Sequence, residues 1–361
     1  MSTIRKKQHT ANTTYKKLAV LWFNEVLCFV LVADSFVLRK RQLFVAANSC
    51  ASFVSADSEK RNNMGTLLGL IIVASSLSCY GQTFKDTVID MHMHVYTQDE
   101  RWTYHVANPI TGKPLTADNA QKHYEATMSQ MKKWNYRKGV ISGDTTAQWL
   151  WKKRNPELFI TGLGLRGYNL PDTTWLRDAF ETGKIQVFGE IAVQYDGIAP
   201  DSSILEPYYA LAEEYDIPVA IHMGPGPPGA PYIGYPKYRM ALSNALLLED
   251  VLIRHPKLRI YVMHAGWPMA DAMIALMYAH PQVYVDLGAI DWARPVADFH
   301  DYLRRLVQVG FGKRIMFGSD QMVWVDAISI AIENILSAEF LTQDQKKDIL
   351  YRNAKQFLKI K

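Results

Sequence analysis

The stretch "VIDMHMHVYT" (residues 88–97) joins a short β-branched and aliphatic run to two histidines, His92 and His94, two positions apart. β-Branched residues suit the pleated backbone of a strand, and side chains two apart on a strand share a face. Residues 88–94 therefore read as a strand whose end presents two imidazoles together. It is the first of a series. Comparable runs follow at "KGVISG" (138–143), "LFITGLGL" (158–165), "KIQVFGEI" (184–191) and "IPVAIHMG" (217–224). Three more lie at "RIYVMHAG" (259–266), "VYVDLGAI" (283–290) and "RIMFGSDQ" (314–321). Amphipathic stretches separate them, among them 118–134, 204–215 and 244–255, and "LTQDQKKDILYRNAKQFLKIK" (341–361) reads as a closing helix. Strands alternating with helices imply parallel βαβ units. Eight units between residue 85 and the chain end predict an α/β fold of the (β/α)8 TIM-barrel type. The competing doubly wound sheet rarely needs eight strands, and no glycine-rich phosphate-binding fingerprint follows the first one.

Charge and cysteine divide the chain at the same place. The chain has 361 residues and a formal net charge of +5, but residues 1–63 alone hold ten Lys/Arg against four Asp/Glu. Residues 64–79 hold neither, and residues 80–361 carry 30 basic and 31 acidic side chains. The basicity belongs to the leader, which argues against nucleic acid as a partner of the folded part. Cys28, Cys50 and Cys79 all precede the barrel, so no disulfide framework is expected there. The apolar run 18–38 carries Asn24, Glu25 and Asp34 and makes a poor membrane span. Residues 64–81, preceded by Lys60 and Arg61, have the h-region and small residues of a secretory signal, with cleavage after Gly81. Cys79 in "SLSC" offers a second route, lipidation and a membrane tether. The expected organisation is a basic leader of doubtful status over 1–63, a signal peptide over 64–81 and a catalytic domain over 82–361. The expected location is exported, periplasmic or lipid-anchored; whether the chain forms a homo-oligomer is left open.

Active sites of such barrels are built at the C-terminal ends of the strands. His92 and His94 end the first strand, Glu190 the fourth, His222 the fifth, His264 the sixth and Asp320 the eighth. A single H-x-H pair is a weak signal, and each of the others alone fits a structural role. Four histidines and two acids at five strand ends are hard to explain as separate accidents. Imidazole nitrogens with carboxylate oxygens suit zinc or a comparable divalent transition metal, as one or two ions. His255 and His280 each precede proline before a strand, at the stability end of the barrel, and Asp286 on the seventh strand has no chemistry demanded of it. Arg166, after the third strand, suits a substrate carboxylate or an acidic neighbour equally. Tyr195, Trp292 and Trp324 are candidate aromatic walls, and Trp102, Tyr104 and His105 candidate covers of the mouth.

The ordered set "DMHMH" (90–94), "GE" (189–190), "IHMG" (221–224), "MHAGWP" (263–268), "YVDLG" (284–288), "FGSDQ" (317–321) and "NAKQFL" (353–358) resembles the amidohydrolase superfamily. The likeness is to its amidohydrolase-related branch and spans roughly residues 85–359. The resemblance implies that His92, His94 and Asp320 hold the more buried metal and that His222 is a ligand in mononuclear members. It implies that His264 polarises water or substrate, stabilising an oxyanion, or binds a second metal. Asp320 would also serve as general base. Glu190 stands where binuclear members often carry a carboxylated lysine, and is similar to a bridging glutamate in other relatives. The expected function is a metal-dependent hydrolase using activated water on a small lactone, ester or amide. The alternative is a metal-dependent decarboxylase of an aromatic or unsaturated acid, since the branch contains both. A glutamate-bridged nuclease and a non-enzymatic metal-binding protein are weaker rivals.

Overall fold

The computed structural model describes residues 86–97, 107–115 and 117–361. The chain divides into two compact units, Met1–Thr83 and Phe84–Lys361, and all described residues lie in the second. The expected leader, the expected signal segment 64–81, Cys79, Trp102, Tyr104 and His105 lie outside the described residues.

Eight strands appear in the expected order: β1 (Val88–Val95), β2 (Tyr136–Gly143), β3 (Phe159–Thr161), β4 (Phe188–Ile191), β5 (Val219–His222), β6 (Ile260–Met263), β7 (Val283–Asp286) and β8 (Ile315–Met316). All pair in parallel with their sequence neighbours, β1 to β3 in one sheet and β4 to β8 in a second. Parallel bridges Gly162–Val187 and Leu165–Ile191 join the two sheets. The other seam closes where Met91 N donates to Phe317 O at 2.9 Å and Asp320 N to His92 O at 2.7 Å. The result is a closed (β/α)8 barrel. Four strands, β3, β6, β7 and β8, stop three or more residues before the expected ends, because the chain leaves the ladder there to form the loops that carry the site.

Helices α1 (Ala120–Lys133), α2 (Thr145–Arg154), α3 (Thr173–Glu181), α4 (Glu206–Glu214), α5 (Glu249–Arg254), α6 (Ala270–Ala279), α7 (Val296–Gln308) and α8 (Ala327–Leu336) alternate with the strands. Asn119, Asp144 and Asp172 cap the first three by accepting first-turn amides, as expected of short polar side chains before a helix. The closing helix runs from Gln343 to Phe357, with a π-helical turn at Asp348–Arg352.

One inward residue from each strand or its approach fills the barrel: Ile89, Val140, Ile160, Val187, Ala220, Tyr261, Tyr284 and Met316. Phe357 and Ala354 of the closing helix pack against this layer. A regular strand alternates its faces, so Ile89 and Met91, in this layer, should leave His92 and His94 facing outward. They face inward because the β1 register shifts between Asp90 and Met93. A matching shift between Phe188 and Ile191 on β4 lets Glu190 join the interior although Val187 already occupies it. Two bulge-like irregularities thus turn apolar strands into ligand-bearing ones.

The β8–β1 seam is fastened by Asp90, which is fully buried. Its Oδ1 accepts from His92 N at 3.0 Å and Ser319 N at 2.9 Å, and its Oδ2 from Tyr136 Oη at 3.1 Å. Asp90→Ala leaves three buried donors unmatched, and should lower the unfolding free energy by roughly 3–5 kcal/mol in chemical denaturation; a loss well under 1 kcal/mol would remove Asp90 as the fastening.

Candidate metal centre

Glu190 lies within β4, His222 closes β5, His264 follows β6, and Asp320 lies four residues beyond β8. His264 (φ 57°) and Asp320 (φ 42°) both adopt left-handed backbone, a conformation costing a non-glycine residue on the order of 1 kcal/mol or more and held by surrounding structure. For Asp320 that structure is the seam, where Asp320 N bonds His92 O. Gln321 locks the neighbouring rung: His94 N donates to its Oε1 at 3.1 Å, and its Nε2 donates to His94 O at 2.8 Å.

The six sequence-predicted ligands converge in two donor triads, His92/His94/Asp320 and Glu190/His222/His264, each with its ligand atoms within 4.8 Å of one another, and a third such triad, His92/His264/Asp286, shares a residue with each. His94 Nε2 lies 2.9 Å from Asp320 Oδ1, and His92 Nε2 lies 3.5 Å from the same oxygen. Glu190 spans the triads, with Oε2 3.4 Å from His94 Nε2 and Oε1 2.5 Å from His222 Nδ1. His264 Nε2 lies 3.1 Å from His222 Nδ1. His92 Nδ1 and Nε2 and Asp320 Oδ1 are buried without a hydrogen-bond partner. Orphaned buried lone pairs of nitrogen and carboxylate oxygen, aimed at one another, are the donor set a divalent transition metal requires. The residues fit the ion.

Electrostatics agree. Burial alone would lower the pKa of His92, but the Asp320 and Asp286 carboxylates outweigh it and raise it well above the ordinary value. Burial likewise favours a neutral Glu190, yet His222 and His92 hold its pKa well below the usual range. Asp320 is lowered against its burial by His92 and His94. Protons on imidazole thus stand where a cation would neutralise the acids. His264 differs: burial, with His222 beside it, lowers its pKa to about 4. Its Nδ1 faces Gly288 O at 2.8 Å, and a carbonyl only accepts, so Nδ1 carries the proton and Nε2 presents a lone pair. That tautomer equips His264 to serve as a ligand. An oxyanion-stabilising role, expected beside it, lacks an available Nε2 proton.

The substrate candidates are distributed differently. Arg166 forms a two-pronged ion pair with Asp196, at 3.0 and 3.2 Å, and lies over the Tyr195 and Tyr235 rings at 4.7 and 5.4 Å. Of its two sequence readings, the acidic neighbour is the one observed. Tyr195 stands edge-on to His222 with ring centroids 5.4 Å apart, beside the site. Trp292 is only 1% exposed and donates to Ser319 O at 2.8 Å; it packs beneath the site instead of walling an open mouth. Trp324 is half-buried against it at 5.8 Å. His255 is paired with Glu206 and Glu213 at 2.9 and 3.2 Å, away from the triads.

Sequence reasoning missed the acids behind the ligands. Asp286 is fully buried, with Oδ2 3.3 Å from His92 Nδ1. Asp291 is fully buried with both carboxylate oxygens unpartnered, and burial together with Asp90 and Asp286 raises its pKa well above the usual range. The signal available was an acid closing a β-strand run in "YVDLG", two residues before a glycine.

The sequence model of the amidohydrolase family matches residues 89–360. An uncharacterised TIM-barrel protein from Bordetella bronchiseptica is similar in structure at 17% identity and a TM-score of 0.61, covering 76% of this chain and 98% of its own. A probable 2-pyrone-4,6-dicarboxylic acid hydrolase from Acinetobacter baumannii, with citric acid bound, is similar at 14% identity and a TM-score of 0.53, covering 76% and 99%. A 5-carboxyvanillate decarboxylase from Novosphingobium aromaticivorans, complexed with manganese and a nitrobenzoic acid, is similar at 14% identity and a TM-score of 0.50, covering 78% and 98%. No curated protein sequence matches the chain.

If His92, with its raised pKa, is a ligand, it would surrender a proton to bind metal, so metal uptake should release protons and strengthen as pH rises. The apparent affinity should climb about tenfold per pH unit for each proton released. Titration calorimetry in buffers of different ionisation enthalpy checks this, and a buffer-independent heat with pH-independent affinity contradicts it.

Proposed function

The chain belongs to the amidohydrolase family, a family of metal-dependent hydrolases and decarboxylases, and from that premise we propose that it is a hydrolase of a small neutral carbonyl compound, a lactone, ester or amide. The observation that carries the proposal is the convergence of overlapping imidazole–carboxylate triads at the mouth of the barrel. These donors supply ligands for one or two ions, and their four imidazoles favour zinc or a comparable divalent transition metal. A bound metal of this kind acidifies water and polarises a carbonyl.

The chain's own residues supply the rest. Asp320, whose low pKa keeps it ionised, accepts the proton of the attacking water and returns it to the leaving group. Its Oδ1 faces His94 Nε2 at 2.9 Å and its Oδ2 lies 3.9 Å from His264 Nδ1, so the carboxylate stands among the imidazoles where water would be activated. Tyr195, packed against His222 and against Tyr235 and Tyr238, supports an aromatic wall on the strand-four and strand-five side. The Arg166–Asp196 pair favours hydrolysis over the decarboxylase reading. An arginine already neutralised in two-pronged geometry is a poor receptor for a substrate carboxylate, because binding would cost that pair. The signal-like 64–81 segment supports export of the enzyme.

His92→Ala with His94→Ala should remove at least one metal equivalent per chain, measured by elemental analysis; unchanged metal content overturns the assignment. Zinc-loaded protein should release acid from a panel of lactones and esters and no carbon dioxide from aromatic acids. Carbon dioxide release without ester or lactone turnover would transfer the site to the decarboxylase reading.

A further inference from the structure

We infer that Asp286 is a positioning residue that orients His92 and seats His264 with a single carboxylate, coupling the two donor triads. The inference rests on the metal reading above, and three observations carry it.

Asp286 Oδ1 is saturated by backbone: His264 N donates to it at 3.0 Å and Gly288 N at 2.9 Å. The carboxylate therefore cannot rotate away without losing two buried hydrogen bonds. Oδ2 is then aimed at His92 Nδ1, 3.3 Å away, and neither atom has another partner. A carboxylate accepts only, so the pair is satisfied when Nδ1 carries the proton, leaving the Nε2 lone pair for the ion. The neighbouring backbone is built to permit this approach. A Cβ on Gly288 would lie 2.8 Å from His92 Nδ1, and one on Gly318 2.8 Å from His92 Cβ and 3.2 Å from Asp286 Cγ. Any side chain at either position would drive the imidazole and carboxylate apart.

The same carboxylate fixes the left-handed turn at His264 through that residue's amide. His264 belongs to the other triad, so displacement of Asp286 is felt at both. This is a role for a residue that touches neither water nor substrate.

Asp286→Asn separates the charge from the shape. The amide oxygen can keep both backbone bonds, but its NH2 faces His92 Nδ1 and demands an acceptor there. The imidazole proton is forced to Nε2, where it blocks ligation. Zinc affinity, measured by competition with a chromophoric chelator, should fall about 10–100-fold, the range for loss of such partners. The thermal midpoint of the metal-free variant should stay near that of the wild type, and Asp286→Glu should not restore affinity. In wild-type protein labelled with 15N-histidine, His92 should show a protonated Nδ1 and a zinc-ligated Nε2, a readout that holds even if the variant fails to fold. A wild type binding zinc with Asp286→Asn within twofold of it, or an Nδ1-ligated His92, overturns the inference alone. Loss of a whole metal equivalent makes Asp286 a ligand and overturns it too. A wild type that takes up no zinc overturns the metal reading first and this inference with it.

Discussion

Closure of the barrel between its last and first strands is the contact on which the rest of the structure depends. The regular ladder of β8 ends at Met316, yet Asp320 must reach the imidazoles of β1. The chain bridges that gap with hydrogen bonds and not with strand geometry. Asp320 N meets His92 O, Ser319 N meets Asp90, and the Gln321 amide pairs with both backbone groups of His94. Each is buried or half-buried, where an unmade bond is costly. The same bonds that complete the cylinder therefore deliver the Asp320 carboxylate to the imidazoles of β1, so fold and candidate site share one set of interactions.

The architecture was legible because it is written in local chemistry. Each strand is a short β-rich run, each helix a polar-to-apolar pattern, and their alternation admits few arrangements. The six candidate ligands were legible for a related reason: imidazole and carboxylate at strand ends have no ordinary structural purpose when repeated around a barrel. What sequence could not show was partnership across the chain. Arg166 fitted a substrate carboxylate or an acidic neighbour equally well, and only the distance to Asp196, thirty residues on, decides between them. Trp292 follows a strand, as a wall residue would, but its indole N–H finds the Ser319 carbonyl and draws the ring under the site. Asp286 and Asp291 look like turn acids in sequence. Their burial depends on β1, β7 and β8 meeting, a long-range event with no local mark.

The site also shows how a protein holds six potential charges in a dry interior. Carboxylates and imidazoles are interleaved so that a proton on His92 offsets Asp286 and Asp320, while His222 Nδ1 faces Glu190 at 2.5 Å. His264 is the exception, kept neutral by burial and by its neighbour His222. A cation entering such a cluster exchanges for protons already there, so the apo protein is preorganised at modest electrostatic cost.

The register shifts on β1 and β4 carry a consequence of another kind. They place the apolar filling of the barrel on one parity of the strand and the ligands on the other. Within one short strand, Met91 and His92 are adjacent residues that answer to separate demands, one of volume and one of coordination. Evolution can then exchange the residues below the shift for others of similar bulk while those above it stay fixed, and the reverse. A one-residue deletion between them would have the opposite character: it would couple the two demands again and turn the imidazoles toward the helices.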